Sequence, residues 1–106
     1  MGKNTLELNE ANFTETIASG LTLVDMYANW CMPCRMLAPT ISTLADEYDG
    51  KVKVGKVNID ESPSIASQYG VMSIPTVILF KDGKPVGQKV GMADKKAYEQ
   101  MIQSAN

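Results

Sequence analysis

The residues best suited to chemistry are the two cysteines of the chain, Cys31 and Cys34, which are separated by Met32 and Pro33. They stand where an apolar stretch typical of a buried strand gives way to a pattern typical of a helix. This spacing across a helix N-terminus places both sulfurs on one side, at a separation that a disulfide can close. The pair can alternate between dithiol and disulfide with little rearrangement, which predicts thiol-disulfide exchange.

The start of the helix also predicts different roles for the two cysteines. Its dipole and free N–H groups favour the thiolate form of Cys31, which is therefore the predicted nucleophile. Cys34, one turn into the helix, is expected to be more buried and to attack the mixed disulfide that Cys31 forms with a substrate. The alternatives are a structural disulfide, which would stabilise the fold little across so short a loop, or half of a metal site shared between molecules.

Composition excludes several other kinds of site. The chain has 106 residues, no histidine and a formal net charge of -2. A self-contained Cys/His zinc site and a histidine-dependent nucleophile are excluded, and no basic face indicates nucleic acid. No glycine-rich fingerprint indicates a bound dinucleotide cofactor, and no apolar run nears the roughly 18 residues of a membrane span. Because residues 1–10 contain no apolar signal segment, we expect a cytoplasmic protein.

A second candidate for chemistry is Asp25, a carboxylate within an apolar strand. Burial of a carboxylate is costly unless it is protonated or hydrogen-bonded, so burial would raise its pKa and suit it to accept a proton near neutral pH. Lys56, on the neighbouring predicted strand, could reach it. An exposed edge position and a simple structural ion pair are equally open interpretations.

The elements that must position these residues alternate between strand and helix periods. In the first half we predict a strand at Thr5–Leu8, a helix capped by Asn9 and a strand over residues 21–28 that is buried on both faces. A helix follows from about Cys34 to residue 48, with a bend at Pro39. The strand-helix-strand unit from Leu21 to Ile59 implies parallel pairing of its two strands through a right-handed crossover.

The second half begins with a strand over residues 52–59 and a short helix opened by Ser62 and Pro63. Residues 76–80 and 86–90 flank a turn and predict an antiparallel hairpin, and a final amphipathic helix carries Tyr98 and Ile102. The expected architecture is α/β, one domain over residues 1–106 in which helices cover a mixed sheet.

Several short motifs resemble one known family in order and spacing along essentially the whole chain. They are Val24-Asp25, Trp30-Cys31, Pro33-Cys34, Lys56, Asn58-Ile59-Asp60, Ile74-Pro75-Thr76 and Val90-Gly91. On these residues the sequence is identified as a member of the thioredoxin family. The resemblance implies the thioredoxin fold, a five-stranded mixed sheet with four helices, and reduction of protein disulfides.

The resemblance also implies roles for individual residues. Asp25 would assist Cys34 with Lys56 nearby, and the peptide between Ile74 and Pro75 would be cis and packed beside the cysteines. The substrate-binding groove would include Trp30, Met32, Pro33, Ile74, Pro75 and Gly91. The chain departs from the family at Met32, where glycine is usual, and at Tyr27, where tryptophan is common. Met32 could alter both the stability of the Cys31 thiolate and contact with partners.

The predicted function is that of an electron carrier between proteins, with the Cys31–Cys34 disulfide as its redox group and no bound cofactor. It would reduce disulfides in client proteins and be reduced in turn by a flavin-dependent thioredoxin reductase. We expect a monomer with no metal, nucleic-acid or membrane partner. Two other functions stay open: an oxidase or isomerase of disulfides, and a binding module in which the redox chemistry is incidental.

Overall fold

The computed structural model describes residues 4–106 and is built on one five-stranded sheet. Residues 1–3 lie outside the described residues, and with them part of the segment 1–10 from which we expected a cytoplasmic protein. The strands are β1 (Thr5–Leu8), β2 (Leu21–Tyr27), β3 (Val52–Asn58), β4 (Thr76–Lys81) and β5 (Lys84–Val90). The helices are α1 (Phe13–Ile17), α2 (Met32–Glu47), α3 (Pro63–Gln68) and α4 (Lys95–Ala105).

The strands lie in the order β1-β3-β2-β4-β5, so β2 is the central strand. β1 and β2 each run parallel to β3, whereas β4 pairs antiparallel with both β2 and β5. The parallel pairing of β2 with β3 through α2 is the one predicted from the sequence. The mixed sheet and its four helices confirm the predicted fold class.

Two cores form because side chains alternate between the faces of β2. Leu21 and Leu23 pack with the buried faces of α2 and α4 in one core. Val24 and Met26 pack on the opposite face in a second core with residues of α1 and α3. A strand covered on both faces is continuously apolar, which explains the run of buried residues from Leu21 to Met26. Asp25, near the carboxyl end of β2, places a carboxylate within this buried run.

Helix α2 begins two residues earlier than predicted. Cys31 is its N-cap, and the Cys31 sulfur accepts a hydrogen bond of 3.2 Å from the Cys34 N–H. Pro33 occupies the first turn, where its missing N–H removes no helical hydrogen bond. The helix continues through Pro39, so the prediction of one helix rather than two is confirmed. The start was predicted wrongly because cysteine is not among the usual N-cap residues.

Two other boundaries differ from the prediction. Asn9 does not cap α1; its side chain accepts hydrogen bonds from the Ala11 and Asn12 N–H groups, and Asn12 is the N-cap. Asparagine favours both uses, so the pattern could not separate an Asx turn from a cap. The hairpin turn is also tighter than predicted, because Asp82 and Gly83 both adopt positive φ and β5 starts at Lys84.

Candidate active site

The two cysteines form a disulfide at the junction between the central strand and α2. Their Cα atoms are 5.3 Å apart, within the range that a disulfide spans. Cys31 exposes 4% of its surface and Cys34 2%, so exposure separates the two sulfurs less than we expected. The remaining difference is positional: Cys31 precedes the helix, whereas Cys34 lies within its first turn.

The segment before β4 lies against the disulfide. The peptide bond between Ile74 and Pro75 is cis, as the resemblance implied, and the Ile74 carbonyl oxygen is 3.8 Å from the Cys31 sulfur. The Pro75 carbonyl in turn accepts a 2.8 Å hydrogen bond from the Gly91 N–H. The fold thus places Ile74, Pro75 and Gly91, which are far from Cys31 in sequence, on one side of the disulfide.

The other side of the disulfide is formed by Trp30, Met32 and Pro33, which are all exposed. The Trp30 indole N–H donates a 2.9 Å hydrogen bond to the Asp60 carboxylate in the loop after β3. This bond holds the ring while leaving 71% of the residue exposed. All six residues predicted for the groove lie at this end of the sheet: Trp30, Met32 and Pro33 are exposed, Ile74 and Gly91 are half-buried, and Pro75 is buried.

Asp25 is buried in the central strand beside Lys56 of β3, its register partner. Burial raises the pKa of the Asp25 carboxyl from 3.8 to about 7, against the opposing effect of the Lys56 charge. Among residues 4–106 neither carboxylate oxygen has a hydrogen-bond partner. The interpretation of Asp25 as an exposed edge residue is therefore wrong. A buried carboxyl without a hydrogen-bond partner and with a pKa near neutrality is suited to accept and return a proton.

Lys56 is buried as well, and its charge is placed over an aromatic ring. Its Nζ lies 4.3 Å from the centroid of the Tyr27 ring, a cation-π contact. Both residues line a cavity of about 290 Å³ that Cys34 also borders. Lys56 and the second cysteine therefore border the same cavity.

The sequence does not identify Tyr27 or Asp60 as site residues. In the structure Tyr27 contacts Lys56, and Asp60 contacts Trp30. Tyr27 lies two positions after Asp25 and so on the same face of β2, where Lys56 also points. That alternation is the signal that could have found it. The contact between Asp60 and Trp30 joins two loops, and no local pattern in the sequence predicts it.

Donor atoms suited to a metal are few at this site. Within the described residues, 4–106, no group of three or more histidine, cysteine, aspartate or glutamate side chains could hold a metal ion. The same part of the chain has no helix with the length and apolar character needed to span a membrane.

A disulfide that joins a helix N-cap to the first turn, beside a cis-proline on a mixed five-stranded sheet, defines a thiol-disulfide oxidoreductase. The family model for thioredoxin matches residues 4–104. The chain is 46% identical over 98 residues to a thioredoxin of Staphylococcus saprophyticus, and the aligned region covers 92% of this chain and 94% of that relative. It is 44% identical over 97 residues to a thioredoxin of Staphylococcus aureus, with coverages of 92% and 93%.

A solved structure of a mutant thioredoxin from Halobacterium salinarum NRC-1 superposes with a TM-score of 0.86. It shares 36% identity, and the match covers 98% of this chain and 93% of that one. The chain therefore belongs to the thioredoxin family and has the thioredoxin fold. Its activity is that of a protein disulfide reductase of this family, with disulfide-containing proteins as substrates and thioredoxin reductase as the partner that the family implies.

Proposed function

We propose that Cys31 is the attacking and Cys34 the resolving cysteine of a general reductant of client-protein disulfides. The observation that carries this assignment is the position of Cys31 as the N-cap of α2. Helix N–H groups and the helix dipole stabilise a thiolate at such a position, and the Cys34 N–H already points at the Cys31 sulfur. Cys34 lies a turn further in, where it can reach Cys31 but not a bulky client.

The reaction then follows in two displacements. The Cys31 thiolate attacks one sulfur of the client disulfide, and the other client sulfur leaves as a thiolate that takes up a proton. The Cys34 thiolate next attacks the Cys31 sulfur of the mixed disulfide, and the second client sulfur leaves in the same way. The client disulfide gains two electrons and the Cys31–Cys34 dithiol loses them.

Asp25 is proposed to accept the Cys34 proton before the second displacement and to return it to the leaving client thiolate. Its support is burial in the central strand on the Lys56 side, together with a pKa raised to about 7. A base with such a pKa is half-ionised at neutral pH, so it can both take and give a proton. Lys56 limits that rise by its charge and so favours the ionised form.

The client chain is proposed to lie across the disulfide between two rims. Trp30, Met32 and Pro33 form one rim, and Ile74 with Gly91 forms the other. Exposed apolar side chains around a reactive group suit contact with the apolar segments of unfolded or extended chains. Pro75 supports the second rim through its hydrogen bond from Gly91.

A disulfide-linked resting state must be reduced by a partner, and a flavin-dependent thioredoxin reductase is the electron donor we propose. The chain would work as a single domain and a monomer, with its redox disulfide as the sole redox group. A reductant of this kind needs a compartment that keeps thiols reduced, so we propose the cytoplasm.

The test of the assignment is a pair of trapping variants. Cys34→Ser should accumulate a mixed disulfide between Cys31 and insulin, used as the client, because the resolving sulfur is missing. Cys31→Ser should form none and should not reduce insulin. Mass spectrometry of non-reduced samples reads both results, and trapping by Cys31→Ser alone would reverse the assignment.

A further inference from the structure

Methionine is distributed unevenly over this molecule. Among residues 4–106, four methionines have exposed side chains, with fractions of 60% at Met32, 61% at Met36, 95% at Met72 and 47% at Met92. Met26, in contrast, is fully buried in the core. Large apolar side chains are rarely left so exposed without a reason when they are grouped.

The first two exposed methionines lie on α2, the helix that begins at the disulfide. Met32 directly follows Cys31 and is the first residue of α2. Met36 is four residues further along the helix and so lies on the same face as Met32. Together they extend one rim of the active site along α2.

The other two exposed methionines flank the opposite rim. Met72 lies two residues before Ile74, whose carbonyl oxygen is 3.8 Å from the Cys31 sulfur. Met92 directly follows Gly91, whose N–H is hydrogen-bonded to Pro75. Met32, Met36, Met72 and Met92, here called the methionine surface, thus belong to the segments that meet at the disulfide.

The chemistry of the thioether gives this surface a property that leucine would lack. A hydroperoxide converts methionine to its sulfoxide: the sulfur lone pair attacks the terminal OH oxygen, the O–O bond breaks, and the proton of that OH passes to the second oxygen. The second oxygen leaves as water from hydrogen peroxide and as an alcohol from an organic hydroperoxide. The sulfur loses two electrons and the peroxide gains them. In the disulfide form Cys31 and Cys34 carry no thiol, so the exposed thioethers are the sulfurs that remain open to attack.

We infer that the methionine surface is a site of sulfoxidation by hydrogen peroxide and organic hydroperoxides, and that this modification weakens the docking of client proteins. The inference rests on the proposed function, in which this end of the molecule binds clients. Sulfoxidation replaces a flexible apolar side chain by a polar one. Covering that polar group with an apolar client segment costs free energy, whereas the disulfide itself is unchanged.

The first measurement separates modification from function. The disulfide form is treated with hydrogen peroxide, the peroxide is removed, and sulfoxides are mapped by peptide mass spectrometry. Sulfoxides should accumulate at the four exposed methionines and not at Met26, which serves as the control within the same chain. Equal oxidation of Met26, or none at the four, would overturn the inference.

The second measurement tests docking with two substrates. After peroxide treatment, KM for insulin should rise about threefold or more, as expected for the loss of part of a docking contact. The rate with hydroxyethyl disulfide, which is too small to cover the methionine surface, should stay the same. An unchanged KM for insulin with the sulfoxides in place, or an equal loss with both substrates, would contradict the inference.

A variant with all four methionines replaced by leucine supplies the matched comparison. Met32→Leu, Met36→Leu, Met72→Leu and Met92→Leu keep apolar side chains of similar volume that peroxide does not oxidise. The ratio of KM after and before peroxide should be about 1 in this variant. A ratio as high as in the original protein would overturn the inference. Failure of the untreated original protein to reduce insulin would instead overturn the proposed function, and the inference with it.

Discussion

Asp25 and Lys56 lie side by side on adjacent parallel strands, yet no ion pair joins them among the described residues. The Lys56 ammonium instead lies 4.3 Å from the centroid of the Tyr27 ring. Its charge therefore acts on Asp25 through space and lowers the pKa of the carboxyl without neutralising it. The carboxyl keeps a pKa of about 7, which a direct ion pair would have reduced.

Replacing Asp25 by asparagine should stabilise the protein in a pH-dependent way. The folded state holds the Asp25 proton up to a pH of about 7, whereas the unfolded chain releases it near 3.8. The contribution of Asp25 to stability therefore falls as pH rises from 3.8 to about 7 and is constant above. The stability of the asparagine variant relative to the original protein should be greater at pH 8 than at low pH, by up to about 4 kcal/mol.

Denaturant unfolding of the disulfide form at pH 4 and pH 8 checks this prediction. Asp49→Asn, a change at an exposed carboxylate, is the matched control and should behave alike at both pH values. If the free energies of unfolding of Asp25→Asn and the original protein differed by the same amount at pH 4 and pH 8, the pKa of Asp25 would be ordinary.

Replacing Lys56 by methionine should raise the pKa of Asp25 further. The Lys56 charge lowers that pKa, so its removal leaves only the effect of burial. The titration midpoint of the Asp25 carboxyl carbon, followed by NMR, should move upward by about 1 or more. The exposed Lys51→Met is the control, and a midpoint that stays the same in both variants would show that Lys56 does not act on Asp25.

Replacing Met32 by glycine should shift the reduction potential of the disulfide while leaving the fold intact. Met32 directly follows Cys31. We expect glycine at this position to let water come closer to the Cys31 sulfur and stabilise the thiolate. Stabilising the reduced form makes the potential less negative, by more than about 5 mV for this two-electron couple. Equilibration with glutathione measures it. Met36→Ala, one turn along the same face of α2, is the control and should not change the reduction potential. If Met32→Gly had the same reduction potential as the original protein, Met32 would have no redox role.

Removing the Asp60 carboxylate should weaken client binding through Trp30. The Asp60→Ala change releases the indole N–H, and the exposed ring then loses a fixed orientation. A loss of about 1 kcal/mol would raise KM for insulin roughly fivefold, with little effect on kcat. Asp60→Asn keeps an acceptor oxygen and should restore most of the binding. Identical KM values for the alanine and asparagine variants would contradict this role of the hydrogen bond.

The sequence predicts best the parts of the site that depend on the local periodicity of apolar residues. The strand-helix junction that carries Cys31 and Cys34 follows from a buried strand meeting an amphipathic helix. The pairing of β2 with β3 follows from the crossover rule, and it brings Lys56 beside Asp25. Local patterns could not predict contacts between distant loops, such as Trp30 with Asp60. Nor could they show that the Lys56 ammonium faces Tyr27 rather than the carboxylate.

The disulfide lies at one end of the central strand. In the proposed function, every redox partner must reach it between the rims formed by Trp30 and Ile74. An electron donor and a client therefore cannot occupy it together. Turnover must alternate between a half-reaction with the donor and a half-reaction with the client, the ping-pong scheme of steady-state kinetics. Each partner then becomes a competitive inhibitor of the other at high concentration, so the flux of electrons depends on the ratio of the two partners.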